Sequence, residues 1–153
     1  MKTLFAMLLA LATLCAATET LAAISVGGGK SRPSSKSAPL GAYRVNPYNT
    51  HSLANRYGAG SRYRSNGLMN SYSRYGSRYS NYSWRNPYAT QAPRLYNHRG
   101  QYRGRWSANR YDPDSTSNPY GRYGSRYSSE SINNRYGAGS PYNTRPIYVY
   151  PGD

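Results

Sequence analysis

Residues 109–144 read NRYDPDSTSNPYGRYGSRYSSESINNRYGAGSPYNT. One short unit recurs in this stretch: a small or polar residue, then Arg or Pro, then Tyr. It stands as NRY at Asn109 and Asn134, NPY at Asn118, GRY at Gly121, SRY at Ser125 and SPY at Ser140. Asn-Pro and Ser-Pro initiate turns and Tyr-Gly closes them. No part of the stretch carries sustained helical periodicity, and Gly, Ser, Asn and Pro interrupt it every few residues. The stretch therefore predicts a succession of turns.

Outward from this stretch, the unit continues upstream as NPY at Asn46 and Asn86, NRY at Asn55, and SRY at Ser61, Ser73 and Ser77. Of the 19 tyrosines, twelve follow Arg or Pro. Larger blocks recur as well: YGAGSRYRS from Tyr57 matches YGAGSPYNT from Tyr136, and SRYGSRYSNYS from Ser73 matches GRYGSRYSSES from Gly121. This pattern is a degenerate internal duplication with a diverged middle, near 68–106. The 109–144 segment resembles a group of short, exported bacterial proteins of unknown function built on NPYDPDS, NPYGRYGSPYS, SINNPYG and YGAGSPY segments; residues 46–64 resemble it more loosely. The resemblance implies a compact turn array but no activity, ligand or catalytic residue. Where that pattern has Pro before Tyr, this chain has Arg at Arg56, Arg110, Arg126 and Arg135. Proline pins φ and arginine does not, so a looser array is expected here.

Composition argues against a thick core. Past residue 23 there are ten Leu, Ile and Val residues and no Phe. Ordering a residue costs about 1–2 kcal/mol of backbone entropy, and burying an aliphatic side chain returns about 1.5–3 kcal/mol. The expectation is a mostly irregular, intrinsically disordered low-complexity chain with turn-rich repeats and a helix only in the N-terminal signal peptide. The alternative is a small array of turns and short strands around 109–150. Ile147-Tyr148-Val149-Tyr150 is strand-like and could pair with an edge, but is read first as the tail of the chain.

Lys2 and the apolar run over 4–17, followed by small residues at Ala22 and Ala23, read as an export signal over 1–22. The run is short for a membrane span. Cys15 lies inside the signal, so a mature chain has no disulfide or thiolate metal site. A Gly/Ser/Pro linker follows over 23–42, then a basic Tyr/Arg/Ser-rich region over 43–108, the charge-neutral repeat over 109–144, and a tail over 145–153. The formal charge is +15, and between Ala23 and Tyr111 there are 15 basic residues and no acid. From Asp112 onward, four arginines face four acids. An unopposed Arg-rich stretch seeks polyanions; the same charge also keeps a Tyr-rich chain soluble.

No enzyme is expected. His51 and His98 are the only histidines, and neither has an acid nearby in sequence. Asp112-Pro113-Asp114-Ser115 reads as an Asx turn rather than a calcium site, since calcium wants six to eight oxygens. Gly27-Gly28-Gly29-Lys30-Ser31 superficially resembles a phosphate loop but lacks its spacing. No metal, cofactor or small-molecule substrate is called for. The remaining chemistry is Arg interleaved with aromatic rings, the composition of single-strand and polyanion binders. The candidate polyanion contacts are Arg56, Arg62, Arg64, Arg74, Arg78, Arg99, Arg103 and Arg105. The candidate stacking rings are Tyr57, Tyr63, Tyr75, Tyr79, Tyr102 and Trp106. Outside the cytoplasm, in a periplasm or secreted, the partners would be envelope lipid or lipopolysaccharide, acidic polysaccharide or released nucleic acid. The competing expectation is self-association through Arg–Tyr contacts into a matrix.

Overall fold

A computed structural model describes residues 37–43, 46–140 and 142–152. The expected signal helix and most of the linker lie outside these residues. Within them there is no helix, as the turn chemistry implies, but the chain is not disordered. It forms one antiparallel sheet of four short strands, β1 (Gly41–Tyr43), β2 (Arg94–Asn97), β3 (Tyr102–Arg105) and β4 (Ile147–Tyr150), in the order β1-β4-β2-β3. The expectation of an intrinsically disordered chain is thereby corrected. So is the reading of Ile147–Tyr150 as a tail, because it is an inner strand hydrogen-bonded on both sides.

The rest of the chain is made of turns that share their ends. The Asn49 N–H donates to the Asn46 carbonyl, Ser52 to Asn49, Asn55 to Ser52, Gly58 to Asn55 and Ser61 to Gly58. The same chaining runs Arg64–Gly67–Asn70–Ser73–Gly76, Asp112–Ser115–Asn118–Gly121–Gly124 and Ser128–Ser131–Asn134–Gly137–Ser140–Asn143. The last residue of one turn is the first of the next. Where that residue is Asn, Asp or Ser, its side-chain oxygen accepts the N–H two positions on, except at Ser73, whose Oγ takes Gly76 N–H three positions on. Examples are Tyr57 N–H to Asn55 Oδ1 at 2.9 Å, Tyr120 to Asn118 at 2.9 Å and Tyr136 to Asn134 at 2.9 Å. This is the preference of four-residue turns for Asn, Asp or Ser in first place, Pro in second and Gly in fourth. Arg in second place does not loosen the turn: the N-R-Y turn at Asn55 matches the N-P-Y turn at Asn118 in both bonds. Asp112 caps Asp114 N–H at 2.9 Å, the Asx turn read from sequence.

Two halves repeat this plan. In the first, β1 is bridged in parallel to Ser52, with Ala42 N–H on His51 O and Leu53 N–H on Ala42 O. In the second, β3 is bridged in parallel to Ser115, with Arg105 N–H on Asp114 O and Thr116 N–H on Arg105 O. Asn55 and Asn70 tie their turns to Asn49 O and Arg64 O; Asn118 and Asn134 do the same with Asp112 O and Ser128 O. The halves are interlocked, since each half's first strand pairs with the other half's last strand. The parallel bridges cover the outer edges of β1 and β3, which would otherwise present open backbone groups.

Alternation along the strands gives the sheet two faces. Leu95 sits opposite Val149 in register, and both join Leu68, Ile132 and Ile147 in the core, flanked by Leu53, Tyr75, Trp84 and Trp106. The aromatic set packs ring to ring: Trp84 on Trp106 at 5.0 Å, and Tyr43 edge-on to Trp106 at 6.3 Å. Tyr96, Tyr102, Tyr123 and Tyr150 form a chain of edge-to-face contacts. Gly104, at φ 102°, admits Tyr123 beside the sheet, where a Cβ would stand 2.6 Å from the Tyr123 Cβ. Serines fill what remains of the interior. Ser52, Ser83, Ser107, Ser115 and Ser131 are fully buried, and their hydroxyls engage backbone groups, as Ser115 Oγ does Ser107 O at 3.0 Å.

The candidate Arg and Tyr surface

The turn geometry decides where each Tyr points. In third place of an Asx- or Ser-capped turn, its N–H is used inward and its ring projects away from the chained backbone. Eleven described tyrosines are 87–98% exposed: Tyr48, Tyr57, Tyr63, Tyr72, Tyr79, Tyr88, Tyr111, Tyr120, Tyr127, Tyr136 and Tyr142. Solvation of so many large rings is costly for a chain with so small a core.

The residues read from sequence divide into two groups. Tyr57, Tyr63 and Tyr79 are exposed, as are Arg56, Arg62, Arg64, Arg74, Arg78 and Arg99. The others are turned to packing. Tyr102 is buried under Tyr96 and Tyr123, Tyr75 packs on the core, and Trp106 is stacked on Trp84. Burial, first of all, pushes the Tyr102 phenol well above its ordinary value. Arg105 bonds Asp112 at 3.2 Å and Arg103 lies 3.8 Å from Glu130. Arg74 stands 3.5 Å over the Tyr82 ring and is committed in part to that contact.

Two grooves gather part of what is left; Tyr57, Tyr79, Arg64, Arg74 and Arg78 lie outside both, and Arg99 lines a smaller cavity of about 220 Å³ with Arg103. The first, about 880 Å³, brings Arg56, Arg62 and Arg85 together with Tyr63 and Tyr72. The second, also about 880 Å³, holds Arg126 and Arg135 with Tyr120, Tyr127 and Tyr136. No acidic side chain lines either. Sequence reading missed the second groove because the charge from Asp112 onward sums to zero. The acids are drawn elsewhere: Glu130 binds Arg122, at 2.7 Å through Nη2, and Arg103, while Asp112 binds Arg105. The available signal was local rather than summed, since SRY at Ser125 repeats SRY at Ser61.

The Glu130 cluster makes one pH prediction. The hydrogen bond from Arg122 holds the Glu130 carboxyl below its ordinary value of 4.5. A lowered folded-state pKa adds stability that is present above the ordinary value and lost as pH falls through the folded one. Glu130→Gln should therefore remove part of the acid sensitivity of the melting temperature below about pH 4.5. Both partners are partly exposed, which limits the effect to under about 1 kcal/mol. Parallel acid titrations of melting temperature for the protein and the variant would read it, and identical profiles would count against the ion pair.

No family model, curated protein or solved structure matches the chain.

Proposed function

We propose that this is an exported, non-enzymatic protein that binds anionic surfaces or polymers outside the cytoplasm through its Arg/Tyr turns. The observation that carries this reading is the row of eleven solvent-facing tyrosines, ten of them following Arg or Pro, on turns fixed by side-chain caps. The cap on the Tyr N–H and the turn bond between its neighbours fix the backbone that carries the ring, so little backbone entropy is lost on contact, and a guanidinium beside it supplies charge and a bidentate fork. The leader-like residues 1–22 support the location, and the concentration of charge upstream of Tyr111 supports the class of partner.

The test is the salt dependence of binding to a polyanion. For single-stranded DNA as probe, contact with about six to ten phosphates should cost roughly 10³–10⁵ in affinity between about 50 and 200 mM salt. A flat response sinks the reading. The same exposed rings favour a second reading, a Tyr-rich matrix protein. It is supported if the purified protein scatters light increasingly with concentration at physiological salt, and fails if the protein stays monomeric.

A further inference from the structure

The two grooves are one design used twice. Arg62, Tyr63, Asn70 and Tyr72 line the first; Arg126, Tyr127, Asn134 and Tyr136 line the second, in the same order and at the same spacing. The supports match as well. Ser61 caps Tyr63 and Ser125 caps Tyr127, while Asn70 caps Tyr72 and Asn134 caps Tyr136. Leu68 and Ile132, both in the core cluster, anchor corresponding turns beneath the grooves. Both volumes fall in the range of ligand sites. The duplication has thus kept a lining in each half, although the halves differ in net charge and in much of their sequence.

We propose that the two grooves are paired binding sites for an acidic polysaccharide, each taking a short run of uronate-type sugars, so that one polymer strand engages the protein twice. This rests on the polyanion reading above. The lining chemistry selects the class. Each groove offers guanidinium groups, whose fork matches a carboxylate as it does a phosphate, so the arginines call for an anion and the tyrosines point to its class. Each offers tyrosines whose faces suit the C–H face of a sugar ring and whose hydroxyls suit its hydroxyls. The second groove holds four tyrosines, Tyr43 among them, to two arginines, and the first holds two tyrosines to three arginines. Both thus pair aromatic faces with positive charge, the combination a polyhydroxylated ring bearing a carboxylate would use. The amides of Asn70 and Asn134 each spend one N–H and one oxygen lone pair within their own turns, so their first task is to hold Tyr72 and Tyr136 in place.

Calorimetry with the purified protein tests this, using a short galacturonate oligomer that fills one groove and long polygalacturonate that reaches both. The short oligomer should bind at two equivalents per chain. Arg62→Ala with Tyr63→Ala, or Arg126→Ala with Tyr127→Ala, should leave one equivalent, and the four changes together none. Loss of either groove should weaken the long polymer by about 10²-fold, as expected when a second, tethered contact is removed. These side chains are exposed and the Ser61 and Ser125 caps remain, so the fold should persist, as circular dichroism would verify. Arg110→Ala with Tyr111→Ala, on an exposed turn outside both grooves, should keep two equivalents of the short oligomer while taking its own share from general polyanion contact. If the groove variants bind like the parent, or the Arg110 and Tyr111 variant loses as much, the grooves are not the sites while general polyanion binding stands. Tighter binding of single-stranded DNA or anionic vesicles overturns the polysaccharide class. Equal binding of a neutral cellulose oligomer overturns the role of the arginines. Failure to bind galacturonate, DNA and vesicles alike, at about 50 mM salt, overturns the underlying reading too.

Discussion

Leu95→Ala is expected to destabilise the fold by about 2–5 kcal/mol, enough to unfold much of the population in ordinary buffer. Leu95 is 1% exposed on β2 and faces Val149, itself fully buried on β4, across the central strand pair. Among the described residues, five aliphatic side chains make up the core cluster. A larger domain can relax around a lost methyl group; here the five come from β2, β4 and two distant turns, so a loss at one loosens the joint between them. Natural domains hold about 5–15 kcal/mol in all, and a core this thin argues for the lower part of that range. Stacked Trp84 and Trp106 lie against the cluster and report on it. Urea denaturation followed by tryptophan emission should show the transition moving by at least about 1 M. Val149→Ala should behave similarly, and the pair of changes should fall short of additivity because the two side chains share one contact. A variant that keeps the parent's transition would mean that the two halves do not close on Leu95 and Val149.

That dependence also explains what could and could not be read in advance. The N-[PR]-Y turns, the closing glycines and the Asp112 cap were legible because each is decided within four residues. Counting aliphatic side chains pointed to disorder and misled for two physical reasons. Turns that share their ends pair backbone groups locally, so little apolar burial is needed to shelter them. The interior is also filled by tyrosine and serine, which a count of Leu, Ile and Val does not see: Tyr96 and Ser115 are as buried as Leu95. β4 was strand-like in sequence, but the sheet as a whole was harder to read from its strands. They run three or four residues, contain Gly41 and Gly104, and depend on partners far away in sequence, as when Ile147 pairs with Asn97 and Tyr43. At the site, Tyr57 and Tyr102 look alike as aromatic residues near arginine. Their fates diverge because Asn55 caps a turn at Tyr57, whereas Tyr102 follows Gln101 into β3 and is buried.

Gly124→Ala should cost more than removal of any exposed tyrosine, on the order of 3 kcal/mol, and lower the melting temperature by roughly 10 °C or more. The reason is space, since Gly124 does not adopt a left-handed backbone. A Cβ placed on it would stand 2.0 Å from the Asn118 carbonyl oxygen, 2.8 Å from its carbon and 2.9 Å from its nitrogen, all main-chain atoms that cannot swing aside. The turn chain wraps back on itself here, and Gly76 meets Asn70 in the same way at 2.1 Å in the first half. Tyr127→Ala, three residues on, removes a far larger side chain, yet that ring is 95% exposed and the Ser125 cap on its backbone survives. Its effect on stability should stay within about 0.5 kcal/mol. Melting the two variants beside the parent checks the contrast. A Gly124→Ala variant that melts with the parent would show that the wrap at Asn118 is looser than described. The expected outcome separates the two jobs of the repeat: its smallest residues set the shape of the chain, and its largest are left in solvent, where a partner rather than the fold accounts for them.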